Sequence, residues 1–226
     1  MNAENSMEST QKRLLRAALH HVPFDGWSDA TLRAAASESA TPWALAQAIF
    51  PRGGVDLALA YHRHGDDLMR QALGDTDLAT FRFRDRVTLA VKLRLQTADR
   101  ELVRRGSALM ALPQHVAEGT KAIWGTADAI WTALGDTSTD INWYTKRVSL
   151  SAVYGATVLY WMGDDSENHQ ATWDFLDRRI ATVMSFEKTK ARFRENPLGR
   201  ALLSGPFKVL ERIHAPQPQS DLPGKT

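Results

Sequence analysis

Helical periodicity runs through this sequence almost without a break, and that constrains what it can fold into more than any other feature. Apolar residues recur at three- and four-residue spacing through segment after segment, while alternating β-branched runs bounded by turns are hard to find. A chain without strands must bury its apolar stripes helix against helix, so the expected fold class is all-α. Breakers divide the pattern. A first helix is expected from about Thr10 to His21, stopped by Val22-Pro23-Phe24-Asp25-Gly26. Ser28 then caps a second helix to about Ser37, and Thr41-Pro42 starts a third that ends near Phe50, before Pro51-Arg52-Gly53-Gly54. A fourth runs from about Val55 to Leu73. Beyond Gly74-Asp75-Thr76-Asp77 the helices lengthen: about Thr80 to Arg105, Gln114 to Leu134, Asp140 to Met162 and Asn168 to Lys190.

Asn196-Pro197 sets apart a last amphipathic segment, Leu198 to Ile213, and a proline-bearing tail (Pro216, Pro218, Pro223) follows it. The expected organisation is a flexible start over 1–9, a unit of short helices over 10–73, a helical body over 74–195, an amphipathic helix over 196–214 and a flexible tail over 215–226. The absence of cysteine excludes a disulfide scaffold, cysteine-ligated zinc, iron–sulfur clusters and a thiol nucleophile. It also agrees with a reducing cytoplasm. The polar, slightly acidic start Met1-Asn2-Ala3-Glu4-Asn5-Ser6 does not read as a secretory signal or an Arg-rich transit peptide. The longest uncharged stretch, Val148 to Gly163, is shorter than the ~20 apolar residues of a membrane-spanning helix. It reads as a buried helix.

The first three helices have the spacing of a helix-turn-helix, and a small three-helix unit ahead of a larger helical body is the Tet-repressor-like layout. In such a unit the third helix enters the major groove with polar and basic side chains. Here it is Pro42-Trp43-Ala44-Leu45-Ala46-Gln47-Ala48-Ile49-Phe50, with Gln47 its only polar interior residue. From Asp25 to Asp56 two arginines stand against four acids, a net −2. A negative surface forfeits the counterion release that supplies most non-specific DNA affinity, so no nucleic-acid partner is expected. A ligand-responsive regulator of this layout is the alternative function.

Catalytic constellations are weak. His62-Arg63-His64 with Asp66-Asp67 suggests a metal site, but helix positions two apart do not share a face, and the stretch reads as a solvated polar helix end. Asp164-Asp165-Ser166-Glu167 with His169 reads as a loop whose Asp or Ser caps the next helix. Ser185-Phe186-Glu187-Lys188 has the Ser-x-x-Lys spacing without its companion motifs. The two Glu-x-x-His motifs that a di-iron bundle needs are not present, nor is a Gly-rich phosphate loop after a strand. The expectation is a protein that is not an enzyme, with no metal and no cofactor.

The most unusual segment is Thr126 to Met162. Five of the seven tryptophans (Trp124, Trp131, Trp143, Trp161, Trp173) lie in or beside it. Thr139 or Asp140 caps a helix whose first turn presents Trp143 and Tyr144 beside Lys146 and Arg147. Two readings stay open: Trp143 is core and Arg147 a structural partner of Asp140, or one aromatic is exposed. The second follows because successive helix positions diverge by about 100°, so adjacent Trp and Tyr cannot both face inward. Exposed aromatics beside arginine are what interface hot spots are made of.

The run Gly135-Asp136-Thr137-Ser138-Thr139-Asp140-Ile141-Asn142-Trp143-Tyr144-Thr145-Lys146-Arg147 resembles the Coq-nine family of ubiquinone-biosynthesis accessory proteins. Further matches are His21-Val22-Pro23-Phe24-Asp25-Gly26-Trp27, Phe50-Pro51-Arg52-Gly53, Leu109 to Pro113 and Thr172-Trp173-Asp174-Phe175-Leu176, so the resemblance extends from about Leu14 to Ala215. It looks like the bacterial branch. The resemblance implies a Tet-repressor fold, usually dimeric, that has exchanged DNA binding for lipid binding. It implies an isoprenoid lipid of the ubiquinone type, or a phospholipid, held in the helical body and presented to the demethoxyubiquinone hydroxylase, a di-iron enzyme. Carried over position by position, the partner-binding patch falls on Asp128, Ile130, Trp131, Asp140, Trp143 and Tyr144, with Arg147 supporting. Which residues line the lipid cavity is left open.

On a helical wheel Leu198, Leu202, Leu203, Phe207, Val209, Leu210 and Ile213 fill one half, and Arg200, Ser204, Lys208, Glu211 and Arg212 the other. Pro206 predicts a kink or two short helices. From Phe186 to His214 seven bases and three acids leave +4, which suits an anionic membrane surface. By itself the pattern fits an interfacial helix or one docked on the body. The family's C-terminal membrane-binding helix favours the former, with Leu198, Leu202, Leu203, Phe207, Leu210 and Ile213 as the membrane-binding residues. The implied location is cytoplasmic, peripheral on the inner membrane.

Overall fold

The computed structural model describes residues 3–195 and 215. Among the described residues every regular element is helical: α1 (Ala3–Asp25), α2 (Asp29–Glu38), α3 (Trp43–Ile49), α4 (Gly54–Gly74), α5 (Phe83–Gln96), α6 (Arg100–Met110), α7 (Val116–Ala133), α8 (Ile141–Met162) and α9 (Gln170–Glu195). Short 3-10 turns cover Leu78–Thr80 and Glu167–His169. The all-α expectation holds. The segment 196–214, with the six membrane-binding residues assigned to it, lies outside the described residues.

The structure departs from the sequence reading most at two places. The first helix starts at Ala3 rather than Thr10 and continues through Pro23 to Asp25. Proline forfeits one hydrogen bond, but here it falls in the last turn, and Gly26, at φ +66°, ends the helix. The helix expected over Thr80 to Arg105 is two helices. Asp99 separates them by accepting hydrogen bonds from the Glu101 and Leu102 N–H groups at 2.8 and 3.0 Å, while its own N–H donates to Tyr61 Oη at 2.9 Å. No Gly or Pro marks that break.

Two hydrophobic clusters hold the helices together. Leu14, Val22, Leu32, Phe50 and Leu57 pack α1 to α4, with Trp27 donating from Nε1 to the Leu102 carbonyl at 3.1 Å. Met69, Leu73, Val91, Leu95, Ile130 and Leu176 join α4, α5, α7 and α9. Since α4 supplies both clusters, the boundary expected after residue 73 follows a helix that belongs to both sides. The start of α4 passes so close to the turn before α2 that a Cβ on Gly54 would lie 2.1 Å from the Trp27 carbonyl oxygen.

Helix α3 shows the solvent an almost neutral face. Ala44, Leu45, Gln47 and Ala48 are exposed, and Arg33 lies over the Trp43 ring at 4.1 Å.

Candidate functional site

Two features stand out: an ion-paired corner between α7 and α8, and a cavity framed by α4 to α8.

At the corner, Gly135 turns the chain at φ +77° and Asp136 folds back beneath α8. Its carboxylate, 3% exposed, takes Lys146 Nζ at 2.7 Å and Arg147 Nη1 at 3.0 Å. Burial alone would raise this group, but hydrogen bonds from Lys146, Ser138 and Arg147 hold it at about 2. Arg147, buried on α8, also donates from Nε to Asp128 Oδ1 at 2.6 Å and from Nη1 to the Trp143 carbonyl at 3.1 Å. Its guanidinium carbon sits 4.0 Å from the centre of the Trp143 ring. Trp143 meets Tyr144 edge-on at 4.8 Å and Trp124 at 5.9 Å, and all three rings are half-buried. Asp140 caps α8, accepting from the Asn142 N–H at 3.0 Å, and is itself exposed.

Of the seven residues assigned to partner binding, Asp128, Asp140, Trp143 and Tyr144 reach the surface together. Ile130 and Trp131 do not. Ile130 is fully buried and Trp131 is 8% exposed, because they follow Ala127 on the inward side of α7. Trp131 stacks on Phe83 at 5.6 Å and donates from Nε1 to the Lys146 carbonyl at 3.1 Å. Both residues support the corner from below. Arg147 also departs from one reading: its partners are Asp128 and Asp136, not Asp140.

The cavity has a volume of about 380 Å³. Its walls are aliphatic and aromatic, with Leu95, Leu102, Val103, Met110, Ile123 and Val158 among them, and Ala111, Val116 and Leu159 on its edge are exposed. Polar groups gather on one side. Arg94, 3% exposed, donates from Nε to Asp66 Oδ1 at 2.7 Å and from Nη2 to the His62 carbonyl at 3.0 Å. Thr126 Oγ1 lies 2.8 Å from the same carboxylate oxygen and 2.8 Å from His62 Nε2. The buried phenol of Tyr154 completes the group, with Arg94 facing its ring.

This cluster corrects the reading of His62 to Asp67 as a solvated helix end. His62 and Asp66 are four apart on one helix, so they share the inward face of α4. Burial above all, with the Arg94 charge beside it, holds the His62 imidazole down to about 4, so it is neutral near pH 7. The signal that was available was the four-residue pair rather than the two-residue one. Arg94 and Thr126 come from distant segments, and nothing local announces them.

The acidic loop behaves as expected. Asp164 accepts from Ser166 N–H, Thr172 N–H and Thr172 Oγ1 at 2.9, 2.9 and 2.5 Å, and these bonds hold its carboxyl well below the usual range. Ser185 Oγ donates to the Thr182 carbonyl at 2.9 Å, an ordinary helix contact. Among the described residues no group of three His, Asp or Glu could hold a metal ion, and no helix is long and apolar enough to cross a membrane.

Comparison with known proteins gives this geometry a family. The COQ9 family model matches residues 116–187, which include α7, the corner and α8. Over 189 residues the chain is 31% identical to the ubiquinone biosynthesis protein COQ9, mitochondrial, of Xenopus tropicalis, covering 80% of this chain and 59% of that protein. Over 209 residues it is 30% identical to the protein of the same name from Rattus norvegicus, covering 88% and 66%. The chain therefore spans about three fifths to two thirds of the length of these relatives. Among solved structures, a TetR transcriptional regulator from Nitrosomonas europaea superimposes with a TM-score of 0.60 at 16% identity, covering 77% of this chain and 97% of that one. At that identity what is shared is the fold, which is Tet-repressor-like. With matches of this length on both sides of the corner and through it, the chain belongs to the COQ9 family.

Proposed function

We propose that this protein is a ubiquinone-biosynthesis accessory protein that takes an isoprenoid quinone-type lipid into the α4–α8 cavity and presents it to the demethoxyubiquinone hydroxylase docked on the α7–α8 corner. The observation that carries this reading is the cavity: apolar walls, an aliphatic edge open to solvent and a compact polar cluster on one side, in a chain of the COQ9 family. An isoprenoid tail gains about 0.8 kcal/mol for each buried CH₂ in such a cavity, much as it does in a bilayer. Exchange between the two is then close to neutral, which is what a carrier needs. The protein performs no chemistry on the lipid and uses neither metal nor cofactor. It works in the cytoplasm, peripherally at the inner membrane, with 196–214 as its membrane contact. Exposed Val148, Leu159 and Tyr160 on α8 give a homodimer an apolar face.

The alternative, a ligand-responsive transcription regulator, has the fold but not the surface. The exposed side of α3 carries Ala44, Leu45, Gln47 and Ala48, none of which brings a positive charge to phosphate.

Native mass spectrometry of the purified full chain tests the lipid. An isoprenoid or phospholipid adduct is the expected result, and a chain that carries neither would sink the reading. For docking, Trp143→Lys removes the ring at the centre of the half-buried aromatics and is expected to weaken hydroxylase binding by about thirtyfold or more, with unchanged helicity. Binding retained at wild-type strength would reassign the surface.

A further inference from the structure

The polar cluster on the cavity wall has a fixed proton inventory, and the inventory leaves one atom over. The Asp66 carboxylate only accepts, so the 2.8 Å contact with Thr126 Oγ1 takes the single hydroxyl proton of Thr126. Thr126 Oγ1 therefore accepts from His62 Nε2, 2.8 Å away. The Ala122 carbonyl, 3.1 Å from the same nitrogen, also requires a donor there. Both partners place the imidazole proton on Nε2. In a neutral ring Nδ1 is then a bare acceptor, and it has no partner among the described residues. Arg94 uses Nε and Nη2 on Asp66 and on the His62 backbone, which holds the histidine from behind.

His62 belongs to the cavity lining, whose other walls are almost wholly apolar. A ligand that fills the cavity expels the water that would otherwise satisfy Nδ1. A headgroup with no donor then leaves a buried acceptor unpaired, whereas a hydroxyl-bearing ring satisfies it.

We propose that His62 Nδ1 is a headgroup-reading site: it accepts a hydrogen bond from a ring hydroxyl, so the cavity selects phenol or quinol headgroups over counterparts that carry only carbonyl or ether oxygens. The proposal rests on the lipid-binding reading above and adds to it the chemical class of the ring. Asp66, Thr126 and Arg94 act as positioning residues, since they hold the tautomer and the ring without needing to touch the ligand. The same discrimination gives the carrier a direction. Prenylated rings with a free hydroxyl are retained, and rings whose oxygens are all alkylated or oxidised to carbonyls are released.

The test uses the full-length protein and two probes, a geranyl-substituted phenol and the same molecule with its hydroxyl O-methylated, titrated by calorimetry. The wild type is expected to bind the phenol about tenfold more tightly than the ether, the size of one hydrogen bond made against an acceptor otherwise left unpaired. His62→Phe keeps an aromatic ring but no acceptor. It is expected to lose the tenfold preference, with the ether bound more tightly than by the wild type because no acceptor is left unpaired. Equal binding of both probes by the wild type would overturn the headgroup site while leaving the lipid reading intact. Failure of the wild type to bind either probe would overturn the lipid reading and this proposal with it. A tenfold preference that survives in His62→Phe would assign the discrimination to another group. Should that variant lose its helicity, the wild-type comparison still decides.

Discussion

Arg147→Ala is expected to destabilise the protein by about 3–5 kcal/mol, read as a lower urea midpoint at unchanged slope. The side chain is 3% exposed and joins two carboxylates, one of them Asp136, itself 3% exposed. Among the described residues removal leaves Asp136 with Lys146 as its one remaining ion-pair partner, and a buried charge deprived of a partner costs far more than the intact pair contributes. The Trp143 ring also loses the guanidinium stacked 4.0 Å from its centre. Arg147→Lys should fall between the two, because an ammonium cannot serve Asp128, Asp136 and the Trp143 carbonyl at once.

The corner has an acid signature as well. Asp136 is held at about 2, below its ordinary value of 3.8, so its contribution is complete above pH 4 and is lost as the pH falls towards 2. In Arg147→Ala the acid transition should move to higher pH. A variant with wild-type urea and acid profiles would show that the corner's ion pairs carry no stability.

Asp66→Asn should have a comparable effect at the other site, also about 3–5 kcal/mol. Among the described residues Asp66 is the only carboxylate ion-paired with Arg94, whose side chain is 4% exposed, so neutralising it leaves a buried cation uncompensated. It also replaces an acceptor-only carboxylate with an amide that can donate as well as accept, so the Thr126 proton, and through it the His62 tautomer, is no longer fixed from that side. The decisive control is the double variant Asp66→Leu with Arg94→Met. Replacing both charges with apolar groups of similar size removes the unpaired charge, so the double variant should recover much of the loss. If instead it is as unstable as the sum of the single variants, the pair is not energetically coupled. The double variant should also lose discrimination between phenol and ether if the cluster positions His62.

Much of the fold was legible because its causes are local. The cap at Asp140, the stop at Gly135, the start at Ser28 and the apolar stripes all act within a turn or two of themselves. The errors were local cues that carry two meanings. Pro23 reads as a breaker in the middle of a helix but is tolerated in the last turn. Asp99 reads as an ordinary charged residue until its carboxylate is found capping α6.

The sites were legible only in part. The corner announced itself as an unusual run of residues, yet which members face outward depended on how α7 rolls against the core. Ile130 and Trp131 turned inward, while Trp143 and Tyr144 came to share the surface with Trp124. The cavity was invisible for a different reason. Its polar cluster draws His62 and Asp66 from α4, Arg94 from α5, Thr126 from α7 and Tyr154 from α8. Each looks unremarkable in its own helix.

By itself the sequence determined an all-α chain, the uncharged α3 and the marked corner between α7 and α8, because periodicity, capping and charge act over a few residues. Only the tertiary structure decided that His62 is half-buried and neutral, that Arg147 pairs with Asp136 rather than Asp140, and that an apolar cavity lies between α4 and α8. Those properties arise from the close approach of groups 11 to 64 residues apart, which bring their burial and their partners to one another only when the helices pack.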